Sequence, residues 1–287
     1  MYVGKEEFQG LVVPPSAAMG AIVGLLTRGG KMKVGILAGG LGTRLSEETV
    51  VKPKPMVEIG GKPILWHIMR GFADYGFTEF VVALGYKGEM IKDYFINYRA
   101  RTCSLTVRLA TGDLTVHNQH AEDWTVHLLD TGARTETGGR VRRIAEYIGR
   151  EPFLLTYGDG VGNININRLI EFHRSHEKIA TVTAVRPPAR FGGLTFEGDD
   201  VAAFAEKPQT GEGWINGGFF VLDPEIVNFI PRDDEPFEQA PMDRLTRGNQ
   251  LAAFRHEGFW QCMDTMRDVH MLENLWASGN VAWREQV

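Results

Sequence analysis

The sequence predicts an α/β protein: a Rossmann-like, mostly parallel mixed sheet with helices on both faces, extended by a strand-rich insertion and a helical C-terminal end. Three observations predict it. Short apolar runs of strand length alternate with segments whose apolar residues recur at helical spacing, the mark of βαβ units. The first run ends in a glycine loop, at the strand edge where open α/β sheets take ligands. The composition is that of a globular chain, with 43% hydrophobic and 23% charged residues over 287 positions.

The alternation starts at Met32. Residues 34–37 form a buried-type strand. Residues 63–75 read as a helix, with Pro63 in its first turn, Ile64, Leu65, Ile68, Met69 and Phe72 apolar, and Gly76 as its stop. A strand at 80–84 closes on Gly85, and 89–98 is helical, with Met90, Ile91, Tyr94 and Phe95 on one face. Strands at 126–129, 153–156 and 180–185 are separated by helices at 140–148 and 166–176. Residues 195–197 and 202–204 form a hairpin around Gly198-Asp199. A strand at 214–222 and a helix at 266–277 complete one domain over residues 32–287.

Residues 1–31 stand apart. Pro14-Pro15 breaks a helix, and the apolar stretch 17–26 is about half the length a bilayer needs. Glu6-Glu7 denies it the basic start of a signal peptide. The segment reads as a disordered extension or the result of an upstream start codon, with a membrane-associating or partner-binding tail as the remaining alternative. The second is favoured, because Met32-Lys33 runs straight into the first strand.

A net charge of −5 without a basic stripe argues against nucleic acid as a partner, and short apolar runs argue against a membrane. Two cysteines, Cys103 and Cys262, exclude a disulfide framework and a four-thiolate zinc site and point to the cytoplasm. His117, His120 and His127 match no zinc spacing, and His173 and His176 read as a solvated helix face. Glycine is in excess, 34 residues in all. Gly39, Gly40, Gly42, Gly138, Gly139, Gly158, Gly160, Gly217 and Gly218 are expected where backbone approaches a ligand.

Leu37, Ala38, Gly39, Gly40, Leu41, Gly42, Thr43 and Arg44 follow the first strand. Backbone N–H groups there can surround phosphate oxygens, with Arg44 as a charged fork; the alternative is a glycine-rich strand-to-helix turn. Leu45 stands where a dinucleotide fingerprint has its third glycine, and no Gly-Lys-Ser/Thr of a Walker loop occurs. In Lys52-Pro53-Lys54-Pro55 the prolines restrict the backbone, so a lysine is held in place, either beside phosphates or in a solvated basic turn. Asp159, between glycines at the end of an apolar strand, is placed for Mg²⁺ or sits in an Asp-Gly turn. Asp264 is a second such carboxylate, or the cap of the last helix.

The run Leu37–Leu45 followed by Lys54-Pro55 resembles the signature of the sugar-1-phosphate nucleotidyltransferases. Ser46-Glu47-Glu48-Thr49 and Gly60-Gly61-Lys62-Pro63 make residues 32–67 similar to the glucose-1-phosphate cytidylyltransferases among them. The resemblance runs from Met32 to about Arg284 and implies the nucleotide-diphospho-sugar transferase fold. It implies transfer of a cytidylyl group from CTP to α-D-glucose 1-phosphate, giving CDP-glucose and pyrophosphate without a covalent intermediate. Arg44 and Lys54 would be catalytic, Asp159 and Asp264 would bind Mg²⁺, and the loop with Thr135, Arg140 and Gly158 would bind CTP. Glu206, Lys207 and Asn216 would take the sugar phosphate. A homo-oligomer and a role in deoxysugar synthesis for surface polysaccharide are also implied. Ala189 and Phe237 depart from the family's glycine and tryptophan. The alternatives are dTTP or UTP as donor, or a nucleotide-binding regulator without turnover.

Overall fold

The computed structural model describes residues 32–40, 42, 51–117, 122–187, 193–197, 200–205 and 213–284, with backbone alone for 193–197 and 200–205. The expectations for residues 1–31 lie outside these.

Seven strands form one sheet: β1 (Val34–Leu37), β2 (Glu79–Leu84), β3 (Thr125–Asp130), β4 (Phe153–Tyr157), β5 (Ala180–Val185), β6 (Ile215–Leu222) and β7 (Leu251–His256). Their order is β7-β5-β6-β4-β1-β2-β3. Pairing is parallel from β3 through β2 and β1 to β4, and again between β5 and β7. Strand β6 runs against both neighbours. The sheet is therefore mixed and mostly parallel, as expected.

Helices cover both faces because β1 alternates its side chains. Val34 and Ile36 belong to one buried cluster, with α1 (Ile64–Ala73), α2 (Gly88–Ile96), the helix α4 (Ile166–Arg174) and the closing helix α6 (Met266–Ala277). Leu37 belongs to the other, with α3 (Thr137–Ile148) and α5 (Ala240–Arg247). Helix α1 shows the local logic. Ile64, Leu65, Ile68, Met69 and Phe72 make one apolar stripe, and Gly76, at φ +86°, turns the chain out of it. Phe72 is 1% exposed, so truncation to Ala would cost about 3–5 kcal/mol.

The hairpin expected near Gly198-Asp199 is present as Gly193–Glu197 paired with Asp200–Ala205. A second hairpin, Ser104–Arg108 with Asp113–His117, projects from the sheet with Val107, Leu109 and Leu114 exposed. No helix among the described residues is long and apolar enough to cross a membrane.

Candidate active site

Strand order reverses between β1 and β4, and the chain leaves both at their carboxyl ends. This is the switch point where open α/β sheets form a crevice. A cleft of about 840 Å³ opens there. It is lined by Leu37, Ala38, Gly39, Gly40, Gly42, Lys54, Thr135, Arg140, Gly158, Asp159 and Asp264, all of them residues singled out in the sequence. Leu41, Thr43, Arg44, Glu206 and Lys207 lie outside the described residues.

The start of the glycine loop is held by backbone bonds. Ala38 N–H donates to Ala83 O at 3.0 Å and Gly158 N–H to Leu37 O at 2.9 Å. Arg140, 4% exposed, braces it from below. Its Nη2 donates to Gly39 O at 3.1 Å, and its Nη1 to Leu84 O at 2.8 Å and Thr131 Oγ1 at 2.5 Å. Burial pulls the guanidinium's pKa down. The partners are neutral oxygens, so Arg140 lends positive charge to the cleft floor while fixing its backbone.

Lys54 starts a 3-10 turn between Pro53 and Pro55. Its Nζ donates to Asp159 Oδ2 at 2.7 Å and Asp264 Oδ1 at 2.5 Å. Burial, the largest single influence, lowers the lysine's pKa, but Asp159, Cys262 and Asp264 outweigh it and hold the ammonium above its ordinary range. The two aspartates meet because Gly160–Gly162, just after Asp159, pairs antiparallel with Trp260–Cys262, just before Asp264. Met263 N–H closes the pairing on Asp159 O at 2.8 Å. Asp264 is not the cap of α6. Thr265 caps it in a capping box with Asp268, whose carboxylate also accepts from Asp264 N–H at 3.0 Å. The Asp264 side chain is thereby turned toward Lys54.

Oxygen donors from Asp159 and Asp264 suit Mg²⁺, and the ammonium between them shows that the pair accommodates a cation. Cys262 completes a group whose ligand atoms lie within 4.8 Å of one another. Burial, then Asp159, pushes its thiol pKa up.

Asn216 belongs to a hydrogen-bonded chain through Tyr157 to Glu238 and Thr137. Tyr157 Oη donates to Glu238 Oε1 at 2.5 Å, and Thr137 Oγ1 donates to Glu238 Oε2 at 2.7 Å. Asn216 Nδ2 donates to Tyr157 Oη at 3.3 Å, and its Oδ1 accepts Gly218 N–H at 2.8 Å. Burial and then Glu238 raise the Tyr157 pKa, keeping the phenol protonated as the donor. Tyr157 carries the signal that was available, a tyrosine one residue before the Gly-Asp pair. Glu238 is legible only through the family resemblance, as the charged neighbour of Phe237.

Several of the glycines singled out in the sequence also have a packing role. A Cβ on Gly138 would stand 2.4 Å from Glu235 O, and one on Gly139 2.8 Å from Asp233 O. One on Gly217 would meet Val185 Cγ1 at 2.6 Å, and one on Gly218 would meet the Tyr157 ring at the same distance. At these four the missing side chain makes room for neighbouring protein. His173 is not on a solvated face: it is buried, and its Nδ1 meets Thr181 Oγ1 at 2.9 Å.

Comparison with known proteins places this geometry. The family profile described as Nucleotidyl transferase matches residues 33–277. The glucose-1-phosphate cytidylyltransferase of Salmonella typhi is 51% identical over 254 residues, covering 88% of this chain and 99% of that protein. The probable glucose-1-phosphate cytidylyltransferase of Bacillus subtilis (strain 168) is 45% identical over the same coverage. Among solved structures, HddC from Yersinia pseudotuberculosis complexed with GMP-PN aligns with a TM-score of 0.63 at 26% identity, covering 85% of this chain and 99% of that one.

Proposed function

The chain belongs to the nucleotidyl transferase family, and on that premise we propose that it transfers the cytidylyl group of CTP to α-D-glucose 1-phosphate, giving CDP-glucose and pyrophosphate. The observation that carries the reading is the meeting of Lys54, Asp159 and Asp264 in the cleft that the glycine loop opens. A regulator without turnover would have no need of all three.

A phosphate oxygen of glucose 1-phosphate attacks the α-phosphorus of CTP in line. The bond to the bridging oxygen breaks, and pyrophosphate departs with that electron pair. Catalysis then rests on positioning and charge stabilisation. The loop from Leu37 to Gly42 receives the triphosphate on backbone N–H groups, and Arg140 fixes that backbone. Lys54, with Arg44, offsets charge on the phosphates. Asp159 and Asp264 would hold Mg²⁺, which supplies positive charge to the phosphates when bound. Thr135 and Gly158 line the nucleotide end. Asn216 and the Tyr157–Glu238 pair present donors and acceptors for sugar hydroxyls, with Glu206 and Lys207 as further contacts to the sugar phosphate.

We further infer a homo-oligomer in the cytoplasm that feeds deoxysugar synthesis for surface polysaccharide. The exposed apolar hairpin bearing Leu109 supports association, and the free thiols of Cys103 and Cys262 suit a reducing compartment. Parallel assays of pyrophosphate release with CTP, dTTP and UTP on glucose 1-phosphate test the reaction. Preference for CTP is expected; preference for another donor overturns the assignment.

A further inference from the structure

We propose that Lys54 and the divalent ion compete for one position: the ammonium occupies the Asp159–Asp264 pair until a bound triphosphate draws it away, so that metal binding depends on nucleotide. The inference rests on the reading that this pair is the metal site.

The Lys54 ammonium bridges both carboxylates, at 2.7 and 2.5 Å, and so stands where an ion shared by them must stand. An ammonium and a divalent ion in mutual contact would repel strongly in a site this enclosed, the lysine side chain being 11% exposed. The backbone of Lys54 has little freedom. Prolines flank it, and Pro55 packs so near β4 that a Cβ on Gly158 would stand 3.0 Å from its ring. The flexible four-carbon stem is what can move. Lys54 and the glycine loop line the same cleft, so phosphates seated there offer the ammonium replacement anions within reach of that stem.

Equilibrium dialysis of the full chain against Mn²⁺, with and without CTP and with no sugar phosphate present, tests this by counting bound metal. The parent should hold about one Mn²⁺ per chain with CTP and far less without it. Lys54→Met should bind Mn²⁺ without CTP at least about tenfold more tightly than the parent, whereas Lys54→Arg, which keeps the charge, should not. Lys54→Gln serves as a second neutral variant, and near-ultraviolet circular dichroism confirms that each variant folds. Neutral variants that bind Mn²⁺ no more tightly than the parent, while Asp159→Asn loses it, overturn the competition and leave the metal site standing. Mn²⁺ binding unchanged in Asp159→Asn removes both.

Discussion

Gly39 and Arg140 are packed so closely that no side chain fits between them: a Cβ on Gly39 would stand 2.3 Å from Arg140 Nη1, and the guanidinium donates to the Gly39 carbonyl. The first turn of the loop and its brace are thus one unit. Gly39→Ala should displace the guanidinium and raise the KM for CTP about tenfold or more, with a smaller change for glucose 1-phosphate. Arg140→Met should cost about 2–3 kcal/mol of stability, since Gly39 O, Leu84 O and Thr131 lose a buried donor. Steady-state kinetics and thermal unfolding check the two outcomes.

Tyr157→Phe keeps the ring that packs on Gly218 but removes the hydroxyl joining Asn216 to Glu238. If Asn216 contacts the sugar as proposed, the KM for glucose 1-phosphate should rise roughly fivefold while the KM for CTP holds. An equal rise for both substrates would show that the relay shapes the whole cleft.

Stability should fall as the medium turns acid. His67 is 2% exposed, its Nε2 donates to Ile59 O at 2.8 Å, and three tryptophan rings surround it. Burial lowers its pKa, so the folded form resists the proton that the unfolded chain accepts. The unfolded state then binds more protons, and stability is full above the unfolded histidine value, near 6.5, and declines as pH falls below it. The same sign holds for His176 and His256, lowered mainly by burial. His67→Phe should flatten the decline of melting temperature between about pH 7 and pH 5.

Cys262 sets a soft donor beside two hard ones. Cd²⁺ should therefore inhibit the enzyme, and Cys262→Ser should raise the half-inhibiting concentration about fivefold or more while leaving turnover with Mg²⁺ nearly unchanged. Equal sensitivity in both forms would place the inhibitory ion elsewhere.

Much of the fold was legible because its signals are local. Apolar runs of strand length mark β1 and β5, and the stripe from Ile64 to Phe72 marks α1. Strand β7 escaped because Leu251–His256 is only partly covered and its apolar run, Leu251–Phe254, is half alanine and ends in Arg255-His256. In the site, Lys54, Asp159 and Asp264 each had an ordinary local alternative, and family resemblance rather than spacing joined them. Their contact arises from pairing between Gly160–Gly162 and Trp260–Cys262, segments about a hundred residues apart that are too short to announce a strand. Glu238 stood out only as the charged neighbour of Phe237, and its contacts were illegible for a related reason: its partners, Tyr157 and Thr137, are contributed by β4 and α3.

Strand β6 runs opposite to β4 and β5, so its first residues lie at the edge where theirs end. The glycine loop and Asp159 follow the ends of β1 and β4, while Asn216 sits at a strand's beginning, after the segment that joins β5 to β6. Among the described residues, no pair of the central sheet falls between 186 and 214. On the proposed reading, such an architecture would let acceptor preference diverge while the machinery for the nucleotide is retained.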